Sequence, residues 1–87
     1  MNQVKTNYQS RILRLPAVLF ESGLSRSTIY MRISEGLWPK PVSLGARSVG
    51  WPATEVAAIN AARISGKSDQ EIRELVLSLE AARKAVV

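Results

Sequence analysis

Ser22-Gly23-Leu24-Ser25-Arg26-Ser27-Thr28-Ile29-Tyr30-Met31-Arg32-Ile33 reads as a tight turn followed by a short helix with a basic, polar outer face. Gly23 accommodates the positive φ that closes a preceding helix. Ser25 is a good N-cap, because its hydroxyl can accept from an otherwise unpaired N–H of the first turn. Leu24, Ile29 and Ile33 mark one apolar face, the last two at i, i+4. Arg26, Ser27, Tyr30 and Arg32 fall outside that face. A helix presented by a tight turn with such a surface is what a DNA-reading helix-turn-helix requires.

Upstream, Arg11-Ile12-Leu13-Arg14-Leu15 alternates briefly and suits either a short strand or an extended lead-in. Pro16 fits the first turn of a helix, where its missing N–H costs nothing. That helix runs to about Ser22 with Val18 and Leu19 inward. Residues 1–10 are mostly polar and read as a flexible arm. Downstream, Gly36 is placed to end the second helix. Pro39 and Pro41 then forbid helix around Lys40. Val42-Ser43-Leu44 and Ser48-Val49-Gly50-Trp51 alternate on either side of a Gly45-Ala46-Arg47 turn, which predicts a β-hairpin with Val42 and Leu44 sharing a face.

Pro52 opens a third helix, with Glu55 in its first turn, where negative charge suits the helix dipole. Val56, Ile59 and Ala62 face its core side. Ser68-Asp69-Gln70-Glu71 has the form of a capping box. The helix it starts runs to about Ala85, with Ile72, Leu75, Val76, Leu79 and Ala82 or Val86 at helical period. Asp69–Arg73 and Glu80–Lys84 are spaced to pair along it. Its apolar stripe suits packing on the first helix or a dimer seam.

The chain has 87 residues, enough for one domain with a small core. It contains no Cys and no His, which removes thiol nucleophiles, zinc fingers and imidazole acid–base chemistry. No apolar run approaches the roughly 20 residues that span a bilayer, and Met1–Asn7 lacks a signal-peptide core. A soluble, cytoplasmic protein is expected. The formal net charge is +5. All of that excess lies in residues 1–52, with seven basic residues against Glu21 and Glu35, while residues 53–87 balance five against five. A polyanion-binding half joined to a neutral structural half fits this division.

Helix, turn, helix, hairpin, helix is the element order of a minimal winged helix-turn-helix. The expected fold is therefore mostly α with a small β-hairpin: a winged helix-turn-helix over 11–66 plus a C-terminal amphipathic helix over 67–87. Leu-Ser-Arg-Ser-Thr-Ile-Tyr (24–30), Gly-Leu-Trp-Pro-Lys-Pro-Val (36–42), Leu-Gly-Ala-Arg (44–47) and Val-Gly-Trp-Pro (49–52) together resemble the AlpA family of phage and prophage DNA-binding regulators. That family is similar to excisionases and to the DNA-binding end of MerR-type regulators. The resemblance covers roughly residues 11–64. It implies a winged-helix fold, promoter-proximal DNA binding, and control of excision or of integrase expression in a prophage or integrative element. Met31 stands where the family pattern leads one to expect a basic residue.

The expected DNA-binding residues are Arg26, Ser27, Thr28, Tyr30 and Arg32 on a recognition helix over 25–35 in the major groove. Lys40, Arg47 and Ser48 join them on a wing over 42–51 that reaches the minor groove or backbone. Thr28 also suits closing the turn. Tyr30 suits either a phosphate or base contact or a ring buried under the wing. Trp38 and Trp51 read as core rather than as stacking platforms. Double-stranded DNA is the expected partner, with a homodimer or cooperative oligomer on DNA as an accompanying option. No cofactor, metal, small-molecule ligand or enzymatic activity is expected. An excisionase-like architectural factor would use the same residues, and a protein-interaction adaptor would use the C-terminal helix.

Overall fold

The computed structural model describes residues 11–85. Along it lie β1 (Ile12–Leu13), α1 (Leu15–Ser22), α2 (Arg26–Ser34), β2 (Val42–Gly45), β3 (Ser48–Pro52), α3 (Ala53–Ile64) and α4 (Asp69–Ala82), closed by a 3-10 turn over Arg83–Ala85. The fold is mostly α with a small antiparallel sheet, in winged helix-turn-helix order with an added C-terminal helix. The arm expected over 1–10 and the apolar position Val86 lie outside the described residues.

Pro16 sits in the first turn of α1, and Gly23 ends that helix at φ 73° with its N–H donating to the Leu19 carbonyl. Two residues later Ser25 starts α2, its hydroxyl accepting from the Thr28 N–H at 3.2 Å. The turn between the helices is short because one residue stops the first and the next but one starts the second.

The sheet has three strands in the order β1-β3-β2, not the two of a bare hairpin. Of the two readings open for Arg11–Leu15, the strand is the one formed. Ile12 pairs with Pro52 and Leu13 with Trp51, both antiparallel. Gly50 lies where the three strands meet, and a Cβ there would stand 2.5 Å from the Ile12 Cγ2. The hairpin turn is tighter than Gly45-Ala46-Arg47, because Gly45 still pairs with Ser48. Ala46 then takes a positive φ of 36°. A register shift between Ser43 and Gly45 breaks the simple alternation of β2. Leu44 is 43% exposed and its Cδ1 lies near Gly50, the partner of Val42.

Val18, Ile29, Leu37, Trp38, Trp51, Val56, Ile59, Ala62, Ile72 and Val76 form the core, with Leu75 and Leu79 packed against it. Each fully buried aliphatic side chain here contributes about 1.5–3 kcal/mol. Helix α4 enters this core through Ile72 and Val76, and its main helical neighbour is α3 rather than α1. The capping box is complete: Ser68 accepts from the Glu71 N–H, and Glu71 accepts from the Ser68 N–H.

Two expected pairings along α4 do not form. Asp69 bonds Arg63 at 3.2 Å instead of Arg73. Arg73 donates to the Glu35 carbonyl, and Glu80 accepts from the Lys40 N–H. Exposed i, i+4 pairs are worth only about 0.2–0.5 kcal/mol, so tertiary partners outcompete them.

Candidate nucleic-acid interface

Ile29 and Ile33 turn inward, so helical geometry puts Ser27 and Met31 at the outermost line of α2. Arg26 and Ser27 are exposed at its first turn, and Met31 is 51% exposed one turn on. Thr28 is half-buried. Its Oγ1 accepts from the Ser25 hydroxyl at 2.9 Å, so it belongs to the cap as well as to the surface.

Tyr30 and Arg26 lean toward the hairpin. The Tyr30 ring meets Trp51 edge-on, centroids 6.5 Å apart at 67°. The Arg26 guanidinium lies 5.9 Å from the Tyr30 centroid, within cation–π range. Tyr30 is 39% exposed, with its ring against the sheet and part of its surface open. Trp51 is fully buried and donates its indole N–H to the Pro39 carbonyl at 2.8 Å. A continuous stack therefore links the start of α2 to β3 and to the segment ahead of β2. Arg32 lies on the other flank, where it lines one surface cleft together with Glu21, Asn60 and Arg63.

On the hairpin, Arg47 is exposed at the tip and Ser48 is half-buried beside it. Lys40 is exposed but stands at the hairpin's root. Its N–H donates to the Glu80 Oε2 at 2.8 Å, and its carbonyl accepts from the Arg83 Nη2 at 2.7 Å. The structure brings Arg26, Tyr30 and the hairpin stem together, and places Arg32 and Lys40 on flanks away from the tip.

Arg14 was not among the expected surface residues. Its Nε donates to the Val49 carbonyl at 3.0 Å, which lays an exposed cation along β3. Its position directly after an alternating Arg-Ile-Leu stretch was the available signal. Among the described residues the ion pairs are Arg63–Asp69 and Arg83–Glu55. Both belong to α3, α4 and the closing turn, which leaves the cations of residues 11–52 outside these pairs. Among the described residues no cluster of His, Cys, Asp or Glu could hold a metal ion, and no helix is long and apolar enough to cross a membrane.

Glu55 stands in the first turn of α3, as expected. It is also 4% exposed and accepts two bonds from Arg83, at 2.8 Å and 2.6 Å. Those bonds to Glu55 hold the Arg83 guanidinium above its already high ordinary range, with burial opposing them.

The family description "Prophage CP4-57 regulatory protein (AlpA)" matches residues 11–63. An uncharacterized protein, ORF88 of Enterobacteria phage P4, is 51% identical over 59 residues, covering 68% of this chain and 67% of that protein. The DNA-binding transcriptional activator AlpA of Escherichia coli (strain K12) is 42% identical over 52 residues, covering 53% of this chain and 74% of that protein. No solved structure matches the chain.

Proposed function

The chain belongs to the AlpA family of prophage regulatory proteins, and on that premise we propose that it binds double-stranded DNA sequence-specifically to regulate transcription in a prophage or integrative element. Helix α2 enters the major groove, where all four base pairs present different edges. The hairpin follows the adjacent backbone or minor groove, where negative potential attracts Arg47. The observation that carries this reading is the capped, exposed first turn of α2, with Arg26 and Ser27, joined through Tyr30 and Trp51 to the hairpin that carries Arg47. Its free N–H groups and positive dipole end suit phosphate. Arg26, Ser27, Thr28, Tyr30 and Arg32 act from the helix. Arg47 and Ser48 act from the hairpin and Lys40 from its root.

A single unit of this size reads few base pairs, so paired sites occupied by two or more copies belong to the proposal. The adaptor reading loses ground, because Ile72 and Val76 of α4 are already buried in the chain's own core.

Binding of the full chain to fluorescent duplexes tiling the DNA around its own gene, over a salt series with unlabelled competitor, tests this. About four phosphate contacts give a log–log salt slope near −3 to −4, and one fragment should resist non-specific competitor. Binding that any competitor removes would leave only a basic surface and sink the sequence-specific reading.

A further inference from the structure

The segment over 35–41 carries the chain from α2 to β2, so its path decides where the hairpin stands relative to the recognition helix. Pro39 and Pro41 deprive it of two backbone donors, and it joins no strand ladder. Its first residues bond back to the end of α2, Gly36 to the Ile33 carbonyl and Leu37 to the Arg32 carbonyl, and four long-range bonds hold the segment to other elements. Arg73 Nε donates to the Glu35 carbonyl at 2.9 Å. Glu80 accepts from the Lys40 N–H at 2.8 Å, and Arg83 Nη2 donates to the Lys40 carbonyl at 2.7 Å. Trp51 caps the Pro39 carbonyl from the sheet side. Three of these four anchors come from α4 and the turn that closes it, beyond the family match at residues 11–63.

Arg83 is itself held. Its Nε and Nη2 grip both carboxylate oxygens of the buried Glu55, while the same Nη2 reaches Lys40. A planar guanidinium can serve a carboxylate and a carbonyl at once, whereas an ammonium is a single point of charge. The fork thus ties α3, the end of α4 and the hairpin root at one point.

We propose that α4 braces the hairpin root against the recognition helix, and that Arg83 is the positioning residue of this brace for DNA binding. The inference rests on the DNA-binding reading given above. β2 is the edge strand of the sheet, paired with β3 alone, so the segment that leads into it decides how firmly it is held. Without the brace, its ordering would be deferred to the moment of binding and would weaken affinity without removing any DNA contact.

The test uses the full chain with Glu55 and Arg83 both changed to Met, which removes the pair without stranding a buried charge. Circular dichroism establishes that the variant is folded. Hydrogen exchange at Lys40 and Val42 should quicken while the α2 amides, and Leu37 bonded to the Arg32 carbonyl, stay protected. Affinity for the duplex pool that the wild type prefers should fall about tenfold, since each 1.4 kcal/mol is tenfold, with the salt slope unchanged. Arg83→Lys should recover only part of the loss. If the double variant does not fold, Glu80→Ala, which frees the Lys40 N–H and keeps the ion pair, should shift both readouts in the same direction by less.

A folded variant with wild-type affinity overturns the brace. A salt slope reduced by about one also overturns it, because Arg83 would then be a phosphate contact. If the wild type binds no duplex, the DNA reading fails, and hydrogen exchange alone judges the brace: unchanged rates at Lys40 and Val42 refute it and faster rates support it.

Discussion

Gly50→Ala is the sharpest single test of the sheet that carries the hairpin. The added methyl would stand 2.5 Å from Ile12 Cγ2, 3.1 Å from the Leu13 carbonyl oxygen and 3.2 Å from Leu44 Cδ1. Leu44 can swing aside, because it is 43% exposed. The Leu13 carbonyl cannot, because Leu13 is paired with Trp51 in the β1–β3 ladder. Ile12 is β-branched and stiff at χ1, so its methyl yields poorly. Overpacking costs about 1–3 kcal/mol, and a backbone wall places this case at the upper end. The alanine recovers about 0.4–1 kcal/mol by restricting the unfolded chain. The net expectation is a loss of about 2 kcal/mol, or about 8–16 °C in Tm for a domain of this size. Thermal and urea melts followed by far-UV circular dichroism measure it. Adding Ile12→Ala removes the nearest contact and should return about 1 kcal/mol through a double-mutant cycle. A Gly50→Ala protein that melts with the wild type, or a cycle with no coupling, would refute the three-strand junction.

Three further outcomes follow from the same geometry. Ser25→Ala strips the cap from the Thr28 N–H and should cost about 1 kcal/mol in a denaturant melt; a change within a few tenths would mean the bond is not made in solution. Arg26→Ala and Arg47→Ala should each leave the melt unchanged, weaken DNA binding, and lower the salt slope by about one; wild-type binding by both would remove them from the interface. Hydrogen bonds from the Ser68 N–H, then from its side chain, hold the Glu71 carboxyl below its ordinary value, and Lys67 adds to this. The folded state therefore favours the ionised form, so this contribution is fully present above the unfolded pKa and is lost as pH falls through the folded one. Glu71→Gln, which can still accept from Ser68, should show a shallower loss of stability on acidification than wild type, and parallel pH profiles would contradict the assignment.

What the chain made legible was local. The Gly23 stop, the Ser25 start, the Ile29 and Ile33 stripe and the Ser68–Glu71 box each act within four residues. A period or a cap announces such features. The short alternation at Arg11–Leu15 left strand and lead-in open, because pairing with β3 some 40 residues on decides between them. The same holds for Glu55. Its first-turn position in α3 suggested a dipole role, yet its partner Arg83 is 28 residues away. Local charge spacing was misleading on α4 for a related reason. Asp69, Arg73 and Glu80 each found a partner in another element, and weak surface pairs along one helix do not compete with that.

The candidate surface divides along the same line. Which residues of α2 face outward follows from helical geometry alone, and Ser27 and Met31 on the outer line, with Arg26 at the start, needed nothing more. Which flank each side chain serves did not follow. Arg32 and Tyr30 are two residues apart and both lie off the apolar face. Yet one lines a cleft with Arg63 and Asn60 while the other meets Trp51 edge-on. Lys40 looked like a wing residue because it is two positions ahead of β2. Its main chain is held by Glu80 of α4 on one side and by Arg83 of the closing turn on the other. Behind the proposed surface stand Trp51, beneath Tyr30, and Glu55 and Arg83, behind Lys40. A change in DNA affinity from any of those three with the salt slope unchanged would report on geometry, and one with a reduced slope would report on contact.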